Sequence, residues 1–155
     1  MKSNTPVQIL VVEDNPGDAR LICESFDRIT QATSIEVKKD GDEALSHLRQ
    51  RIHAARPVDL VLLDLNLPGR HGREVLSEVK ADRHLHCTPI IILSSSTSHR
   101  DITDCYERHA NAYVTKPDDF DDFVKLAQAI GAFWVDSVTM ATDPGLSFPM
   151  TLETS

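Results

Sequence analysis

A short apolar run that ends in a carboxylate constrains the fold of this chain more than any other feature. The residues from Leu60 to Leu63 carry no polar side chain, and Asp64 follows them directly. Such a run is typical of a strand with both faces buried, as in a parallel sheet. An acid at the carboxyl end of such a strand lies where open α/β sheets bind their ligands. A lone aspartate there is more often a helix cap or a turn residue, so its role depends on the rest of the chain.

Four further apolar runs alternate with stretches of helical spacing, and these runs lie at Val7–Val12, 34–39, 89–93 and 112–114. Strands that alternate with helices imply βαβ units and a mostly parallel sheet with helices on both faces. We therefore expect an α/β fold, a flavodoxin-like doubly wound sheet of five parallel strands in the order 2-1-3-4-5 with five helices. Residues 1–136 are predicted to form one domain and residues 137–155, which lack periodicity, a largely irregular tail.

The charge and cysteine content exclude several classes of function. The chain has 16 Lys and Arg against 24 Asp and Glu, a net charge of −8, whereas a nucleic-acid-binding surface shows a basic stripe. The same acidity disfavours an anionic membrane surface. Three cysteines without C-x-x-C spacing suit a reducing cytoplasm and give neither a disulfide framework nor a zinc site. No segment is long enough to span a membrane, so we expect a cytoplasmic protein that binds neither nucleic acid nor membrane.

Polar residues stand at the ends of four predicted strands. Glu13 and Asp14 follow the first strand, Asp64 the third, Ser94 the fourth and Lys116 the fifth. In the expected strand order these groups converge on one crevice. Each close pair of carboxylates would cost on the order of 4 kcal/mol at about 4 Å with an effective dielectric of about 20. Lys116 offsets part of this repulsion, and a hard divalent cation with oxygen ligands, above all Mg²⁺, would offset more.

This set of groups suits phosphoryl transfer. A carboxylate such as Asp64 is able to act as a nucleophile and form an aspartyl phosphate. Lys116 and Mg²⁺ would neutralise charge on the equatorial oxygens of the transferred group, and Ser94 would donate a hydrogen bond to it. An acid pair, an acid, a hydroxyl and a lysine at successive strand ends are a specific combination, whereas one carboxylate is not.

Over about residues 7–136 the chain carries a set of motifs, namely Val12-Glu13-Asp14, Leu63-Asp64-Leu65-Asn66-Leu67-Pro68, Gly72, Leu93-Ser94-Ser95 and Tyr113-Val114-Thr115-Lys116-Pro117. With these motifs it resembles the response-regulator receiver domains of two-component signalling. The resemblance implies that the aspartate accepts a phosphoryl group from a sensor histidine kinase and that the protein is not a conventional enzyme. It also implies a cis bond before the proline that follows the lysine.

The resemblance also assigns a role to each matching residue. The phosphorylated residue is Asp64, and the metal, Mg²⁺ with Mn²⁺ as a substitute, is held by Glu13, Asp14, Asp64 and the main-chain carbonyl of Asn66. Phosphate contacts come from Ser94 and Lys116, and the switch pair is Ser94 and Tyr113. Two positions depart from the commonest pattern, since Ser94 stands where Thr is commoner and Glu13 is the longer of the two acids.

A narrower resemblance is to the single-domain regulators that are paired with cyanobacterial and bacterial phytochromes. It is carried by Gly72-Arg73-Glu74-Val75-Leu76 after the acceptor motif, by Phe133-Trp134, by Ser137-Val138-Thr139 and by Pro144-Gly145. It implies a bacteriophytochrome as the kinase and a homodimer through the fourth helix, fifth strand and fifth helix. That group often has Ser after the lysine, whereas this chain has Pro117.

The fifth helix, predicted over about residues 120–135, carries two apolar stripes, whereas a surface helix needs only one toward its core. The second stripe, which we expect to be a dimer face, consists of Leu126, Ala129, Ile130 and Phe133. A symmetric dimer is the commonest way to cover such a stripe. The alternative is that the tail folds back over it.

Three other functions remain open. The receiver fold would also suit a binding module that works without phosphorylation. A Mg²⁺-dependent phosphatase with an aspartate nucleophile usually has a second aspartate two residues later, where this chain has Asn66. A flavin carrier shares the sheet order, but the acidic crevice disfavours a bound phosphate without a metal.

Overall fold

The computed structural model describes residues 5–135, and its centre is one five-stranded sheet. The strands are β1 (Val7–Val12), β2 (Thr33–Lys38), β3 (Leu60–Leu63), β4 (Ile90–Ser94) and β5 (Ala112–Thr115). They lie in the order β2-β1-β3-β4-β5, and every neighbouring pair is parallel. The predicted flavodoxin-like α/β fold is confirmed.

Five helices alternate with the strands: α1 (Pro16–Phe26), α2 (Gly41–His53), α3 (Gly72–Ala81), α4 (His99–Glu107) and α5 (Phe120–Ile130). Each helix begins after a residue whose side chain accepts a hydrogen bond from a backbone N–H of the first turn, and these caps are Asn15, Asp40, His71, Ser98 and Asp119. At α1 the cap residue Asn15 is followed by Pro16 at the first helical position, an order that is typical of a helix start.

Alternate strand residues fill two cores, one on each face of the sheet. In β1, Leu10 and Val12 pack into the core with α2, α3 and α4, whereas Ile9 and Val11 pack into the core with α1 and α5. The same alternation divides β3, whose four residues are all buried. This period of two, with both faces covered, explains why β3 has no polar side chain.

The end of the fifth helix differs from the prediction. Regular α-helix stops at Ile130, and one wider, π-helical turn follows over Gly131–Val135. A Cβ on Gly131 would lie 2.5 Å from Gln31 Oε1 and 2.9 Å from Ile29 Cδ1. The chain at this turn therefore packs closely against the loop between α1 and β2, and a residue larger than glycine would require the side chains of Gln31 and Ile29 to move.

The predicted dimer face is wrong at Ile130. This residue is only 5% exposed and packs in the same core as Phe123 and Ala127. The three residues are spaced by four and three positions, which places them on one side of the helix, toward the sheet. Leu126 is half-buried against that core, whereas Ala129 is exposed and Phe133 is 58% exposed.

Two other expectations concern the backbone and the tail. Within residues 5–135 no peptide bond is cis, so the cis bond expected before Pro117 is wrong. The predicted tail, 137–155, lies outside the described residues, as does residue 136. In the described part of the chain, no helix combines the length and the apolar character needed to cross a bilayer.

Candidate functional site

Three carboxylates meet at the carboxyl edge of the sheet. One oxygen from each of Glu13, Asp14 and Asp64 lies within 4.8 Å of the others. Strand register explains the meeting, because Val12 at the end of β1 pairs with Leu63 at the end of β3, and Asp64 N–H donates to the Val12 carbonyl at 3.1 Å. The acids that follow these two strands are therefore neighbours, as the sequence predicts.

Lys116 brings a positive charge into this group. Its Nζ lies 2.6 Å from Glu13 Oε1, 2.9 Å from Asp18 Oδ2 and 3.4 Å from Asp64 Oδ2, and its side chain is 10% exposed. Burial alone would lower the pKa of this ammonium, but the bonds to Glu13 and Asp18 and the charge of Asp64 raise the pKa above its ordinary value. Lys116 therefore remains charged at neutral pH.

Glu13 is a buried acid with a strongly shifted pKa. Its pKa is raised to about 7, mainly by burial and to a smaller extent by the neighbouring charge of Asp64. The ammonium of Lys116 and the backbone N–H of Asn15, which donates to Glu13 Oε2 at 3.1 Å, act in the opposite direction without cancelling it. The folded protein therefore disfavours the charged form of Glu13, mainly because the carboxyl group is buried and to a smaller extent because Asp64 repels it.

Asp64 itself is buried and has a hydrogen-bond donor at each carboxylate oxygen. Asn66 N–H donates to Oδ1 at 3.3 Å, and Lys116 donates to Oδ2 at 3.4 Å. Gly72, at the start of α3, packs against the backbone of this segment, where an added Cβ would lie 2.3 Å from the Asp64 carbonyl oxygen. The role of the Asn66 carbonyl as a metal ligand stays a prediction.

The loop between β4 and α4 connects the two residues of the predicted switch pair. Ser94 is fully buried, and its Oγ accepts from Ser96 N–H at 3.2 Å. The Tyr113 hydroxyl donates to the Ser96 carbonyl at 2.7 Å. Ser96 Oγ in turn donates to Asp101 in the first turn of α4 at 2.6 Å. Ser94 and Tyr113 are therefore linked through the backbone of Ser96.

Sequence reasoning did not select Asp18, Ser96 or Asp101. A signal for Asp18 was available, because proline favours the first position of a helix, and the third residue of a helix that begins at Pro16 lies in the first turn, close to the end of β1. No comparable signal distinguishes Ser96 among the five consecutive hydroxyl residues at 94–98. Lys116 is also connected to the end of β4, since its backbone N–H donates to the Ser94 carbonyl at 2.8 Å.

The donor set fits a hard divalent cation. Its convergent ligands are carboxylate oxygens, which Mg²⁺ and Mn²⁺ prefer, and no soft sulfur ligand is among them. Two of the three acids, Glu13 and Asp64, are buried, so the charge of a cation would be screened little by water. The arrangement is suited to binding a phosphoryl group beside a nucleophilic carboxylate.

The sequence profile of the response regulator receiver domain matches residues 9–128. This chain belongs to that family. Among curated proteins, this receiver is 39% identical to the response regulator Rcp1 of Synechocystis sp. over 142 residues, which cover 90% of this chain and 96% of Rcp1.

Two solved structures of response regulators have a fold similar to that of this receiver. The phosphorylated cyanobacterial phytochrome response regulator RcpA is 38% identical, with a TM-score of 0.82 over 88% of this chain and 99% of RcpA. The Mn²⁺-bound form of Rcp1 is 37% identical, with a TM-score of 0.78 over 87% of this chain and 99% of that protein.

Proposed function

We propose that this receiver accepts a phosphoryl group on Asp64 while Glu13, Asp14 and Asp64 hold a Mg²⁺ or Mn²⁺ ion. One observation carries the proposal: the three carboxylates converge within 4.8 Å, and the buried Lys116 ammonium contacts two of them. The phosphorylated form of RcpA and the Mn²⁺-bound form of Rcp1 support it by similarity. The main-chain carbonyl of Asn66 is the fourth proposed ligand.

In the proposed reaction an Asp64 carboxylate oxygen attacks the phosphorus of the donor. The bond between this oxygen and phosphorus forms, the bond between the donor and phosphorus breaks, and the leaving group keeps the electron pair. Lys116 neutralises charge on the phosphoryl oxygens, and Ser94 donates a hydrogen bond from its hydroxyl once the group is in place. A bound divalent cation would supply further positive charge to the same oxygens.

The proposed donor is the phosphohistidine of a phytochrome-type histidine kinase. A receiver domain implies a cognate histidine kinase. RcpA, which is a phytochrome response regulator, is similar to this chain over 99% of the length of RcpA. We propose residues 1–136 as the receiver domain. A cytoplasmic location suits the three cysteines, which are all free.

The proposed output is the surface formed by α4, β5 and α5. Phosphorylation would act on Ser94 and, through Ser96, on the Tyr113 hydroxyl, which lies at that surface. The exposed apolar residues there, Ala129 and Phe133, with the half-buried Leu126, are the proposed homodimer contacts. Ile130 is not among them, because it is buried in the core.

Intact mass after incubation with acetyl phosphate and Mg²⁺ tests the proposal. The wild type should gain the mass of one phosphoryl group, and Asp64→Asn should gain none. Asp121→Asn is the matched control, because Asp121 is an exposed aspartate in the first turn of α5. It should react like the wild type.

Two results would contradict this proposal. A gain in Asp64→Asn equal to that of the wild type would place the modification elsewhere. A folded wild type that gains no mass from acetyl phosphate or from a phytochrome-type kinase would instead favour a binding module that works without phosphorylation.

A further inference from the structure

The Lys116 ammonium has three carboxylate partners, and only two of them belong to the proposed metal site. Glu13 and Asp64 are members of the three-carboxylate group, whereas Asp18 is not. Asp18 Oδ2 is nonetheless 2.9 Å from Nζ, closer than Asp64 Oδ2 at 3.4 Å. Three carboxylate oxygens from three residues therefore lie within 3.4 Å of the ammonium nitrogen.

The start of α1 fixes the position of Asp18. The Asn15 side chain accepts from Asp18 N–H at 3.0 Å, and Pro16 stands at the first helical position. Pro16 restricts the backbone and the cap holds the first turn, so the Asp18 carboxylate projects from a well-defined point. Its side chain is 33% exposed, whereas those of Glu13 and Asp64 are 2% and 6% exposed.

A divalent cation and the ammonium compete for Glu13. The shortest contact of Lys116 is with Glu13, and Glu13 is also a proposed metal ligand. A carboxylate that binds a divalent cation has less negative charge left to attract an ammonium. Once the cation is bound, Asp18 is the nearest remaining carboxylate that holds Lys116, and it does so beside Asp64.

We propose that Asp18 is a positioning residue that keeps the Lys116 ammonium at Asp64 while a divalent cation occupies Glu13. This inference rests on the proposed function, because it concerns how Lys116 serves phosphoryl transfer to Asp64. Lysine has a flexible four-carbon side chain, and it gives transition-state stabilisation only when its charge is held where charge develops. Asp18 provides this restraint from outside the metal site.

The negative charge of Asp18 should by itself slow phosphorylation, whereas its restraint on Lys116 should speed phosphorylation. This difference makes the inference testable. Removal of a negative charge near the site favours the approach of an anionic phosphoryl donor, so a purely electrostatic role predicts faster phosphorylation of Asp18→Asn. Loss of a restraint on Lys116 predicts slower phosphorylation. The sign of the change therefore separates the two roles.

The experiment is a double-mutant cycle with the wild type, Asp18→Asn, Lys116→Gln and the double variant. The rate of phosphorylation by acetyl phosphate is measured by intact mass at saturating Mg²⁺ and at donor concentrations well below saturation, where the rate includes the approach of the donor. Asp18→Asn should slow the wild-type rate about three- to tenfold, which is the size expected for loss of a partly exposed ion pair with good geometry. In the Lys116→Gln background the same change should have an effect of less than about twofold.

Asp18→Glu should recover part of the lost rate, because it keeps the carboxylate, and Asp121→Asn should match the wild type. A second readout needs no phosphoryl donor. Urea unfolding of the same four proteins in metal-free buffer should show non-additive effects of Asp18→Asn and Lys116→Gln, as expected for two groups in contact. It also verifies that each variant folds.

An Asp18→Asn rate equal to or above that of the wild type would overturn the inference. A slowing of equal size in both Lys116 backgrounds would overturn it too, since Asp18 would then not act through Lys116. Failure of the proposed function gives a different result: the wild type itself gains no phosphoryl group, whereas the unfolding cycle still measures the contact between Asp18 and Lys116.

Discussion

The strand-end site and the ion pairs between α2 and α3 contain similar charged groups at similar distances but differ in burial. At the site, Lys116 contacts Glu13 at 2.6 Å with side chains that are 10% and 2% exposed. Between α2 and α3, Arg49 contacts Glu78 at 3.2 Å with side chains that are 46% and 35% exposed. Water and salt screen the second pair, whereas the first lies in a medium where charges interact strongly.

The α2–α3 network, which comprises Asp42, Arg49, Arg70, Glu78 and Asp82, combines two cations with three acids. The site combines one cation, Lys116, with four acids if Asp18 is counted. An exposed excess of acid costs little, but a buried excess destabilises the fold until a cation binds. Acidity alone therefore does not identify a site in this chain, whereas acidity at buried strand ends does.

The largest expected difference between the two regions is in how each contributes to the pH dependence of the free energy of unfolding. The pKa of Glu13 is about 7 in the folded protein and 4.5 ordinarily, so between these values the folded state keeps a proton that the unfolded state releases. In metal-free buffer this should lower the free energy of unfolding by on the order of 3 kcal/mol as pH rises from about 4.5 to 7. Glu13→Gln should remove this contribution.

Urea unfolding of the wild type and Glu13→Gln at about pH 5 and pH 8 checks the prediction. The stability of the variant relative to the wild type should rise with pH. If the two proteins change in parallel, burial does not raise the pKa of Glu13.

The next largest difference should be in the stability lost when a glycine in each region is replaced by alanine. A Cβ on Gly72 would lie 2.3 Å from the Asp64 carbonyl oxygen and 2.6 Å from Leu65 Cα, both backbone atoms. A Cβ on Gly41, near the α2–α3 network, would meet side-chain atoms of Val75 and Arg70. Gly72→Ala should therefore destabilise by about 2–3 kcal/mol and Gly41→Ala by about 1 kcal/mol in urea unfolding. If Gly41→Ala destabilised the protein more than Gly72→Ala, the segment after Asp64 would have to move easily.

Removal of one acid from each region should change stability in opposite directions. In metal-free buffer Asp14→Asn should raise the free energy of unfolding by about 1 kcal/mol, because Asp14 lies within 4.8 Å of two other carboxylates. Asp42→Asn should lower it by less than about 0.5 kcal/mol, because Asp42 is 77% exposed and loses one contact with Arg70. Chemical unfolding with EDTA present measures both changes, and a destabilising Asp14→Asn would argue against net repulsion.

The smallest effect should come from Arg49. Arg49→Gln removes contacts with Glu78 and Asp82 but should cost less than about 0.5 kcal/mol, because Arg49 is 46% exposed. The cost should disappear in about 1 M NaCl, where charges a few ångströms apart are screened. A cost that survives high salt would show that the network contributes more than its exposure indicates.

The sheet and most of its helices were predictable because their signals are local. Val7–Val12 and Leu60–Leu63 are strands to the residue, since each is an apolar run that ends abruptly in acids. Asp40 and Gly41 form a dipeptide that is typical of a turn, whereas in the structure Asp40 caps α2 and Gly41 is its first residue. The short polar side chain that favours a turn also favours a cap, so sequence alone does not separate the two.

The end of the chain's last described helix was less predictable. Ile130 fitted a second apolar stripe by spacing alone, but α5 turns it toward the sheet. The wider turn begins at Gly131, where an added Cβ would meet the side chains of Ile29 and Gln31, which are far from it in sequence. Tertiary contacts of this kind leave no periodic signal.

The positions of the site residues followed from topology, but their contacts did not. Once the strand order is known, Glu13, Asp64 and Lys116 must converge at one edge. The contact between Asp18 and Lys116 joins residues 98 positions apart, and only their side-chain conformations determine it. Spacing rules therefore found the residues for which we propose a chemical role and missed Asp18, which we propose to position Lys116.

The proposed phosphoryl transfer requires that Glu13, Asp14 and Asp64 form one cation site. The direct test is the shift in unfolding midpoint that about 10 mM MgCl₂ causes in the wild type, Asp14→Asn, Asp64→Asn and the control Asp42→Asn. Mg²⁺ should stabilise the wild type and the control alike and the two site variants much less. An equal shift in all four proteins would contradict a shared acidic site.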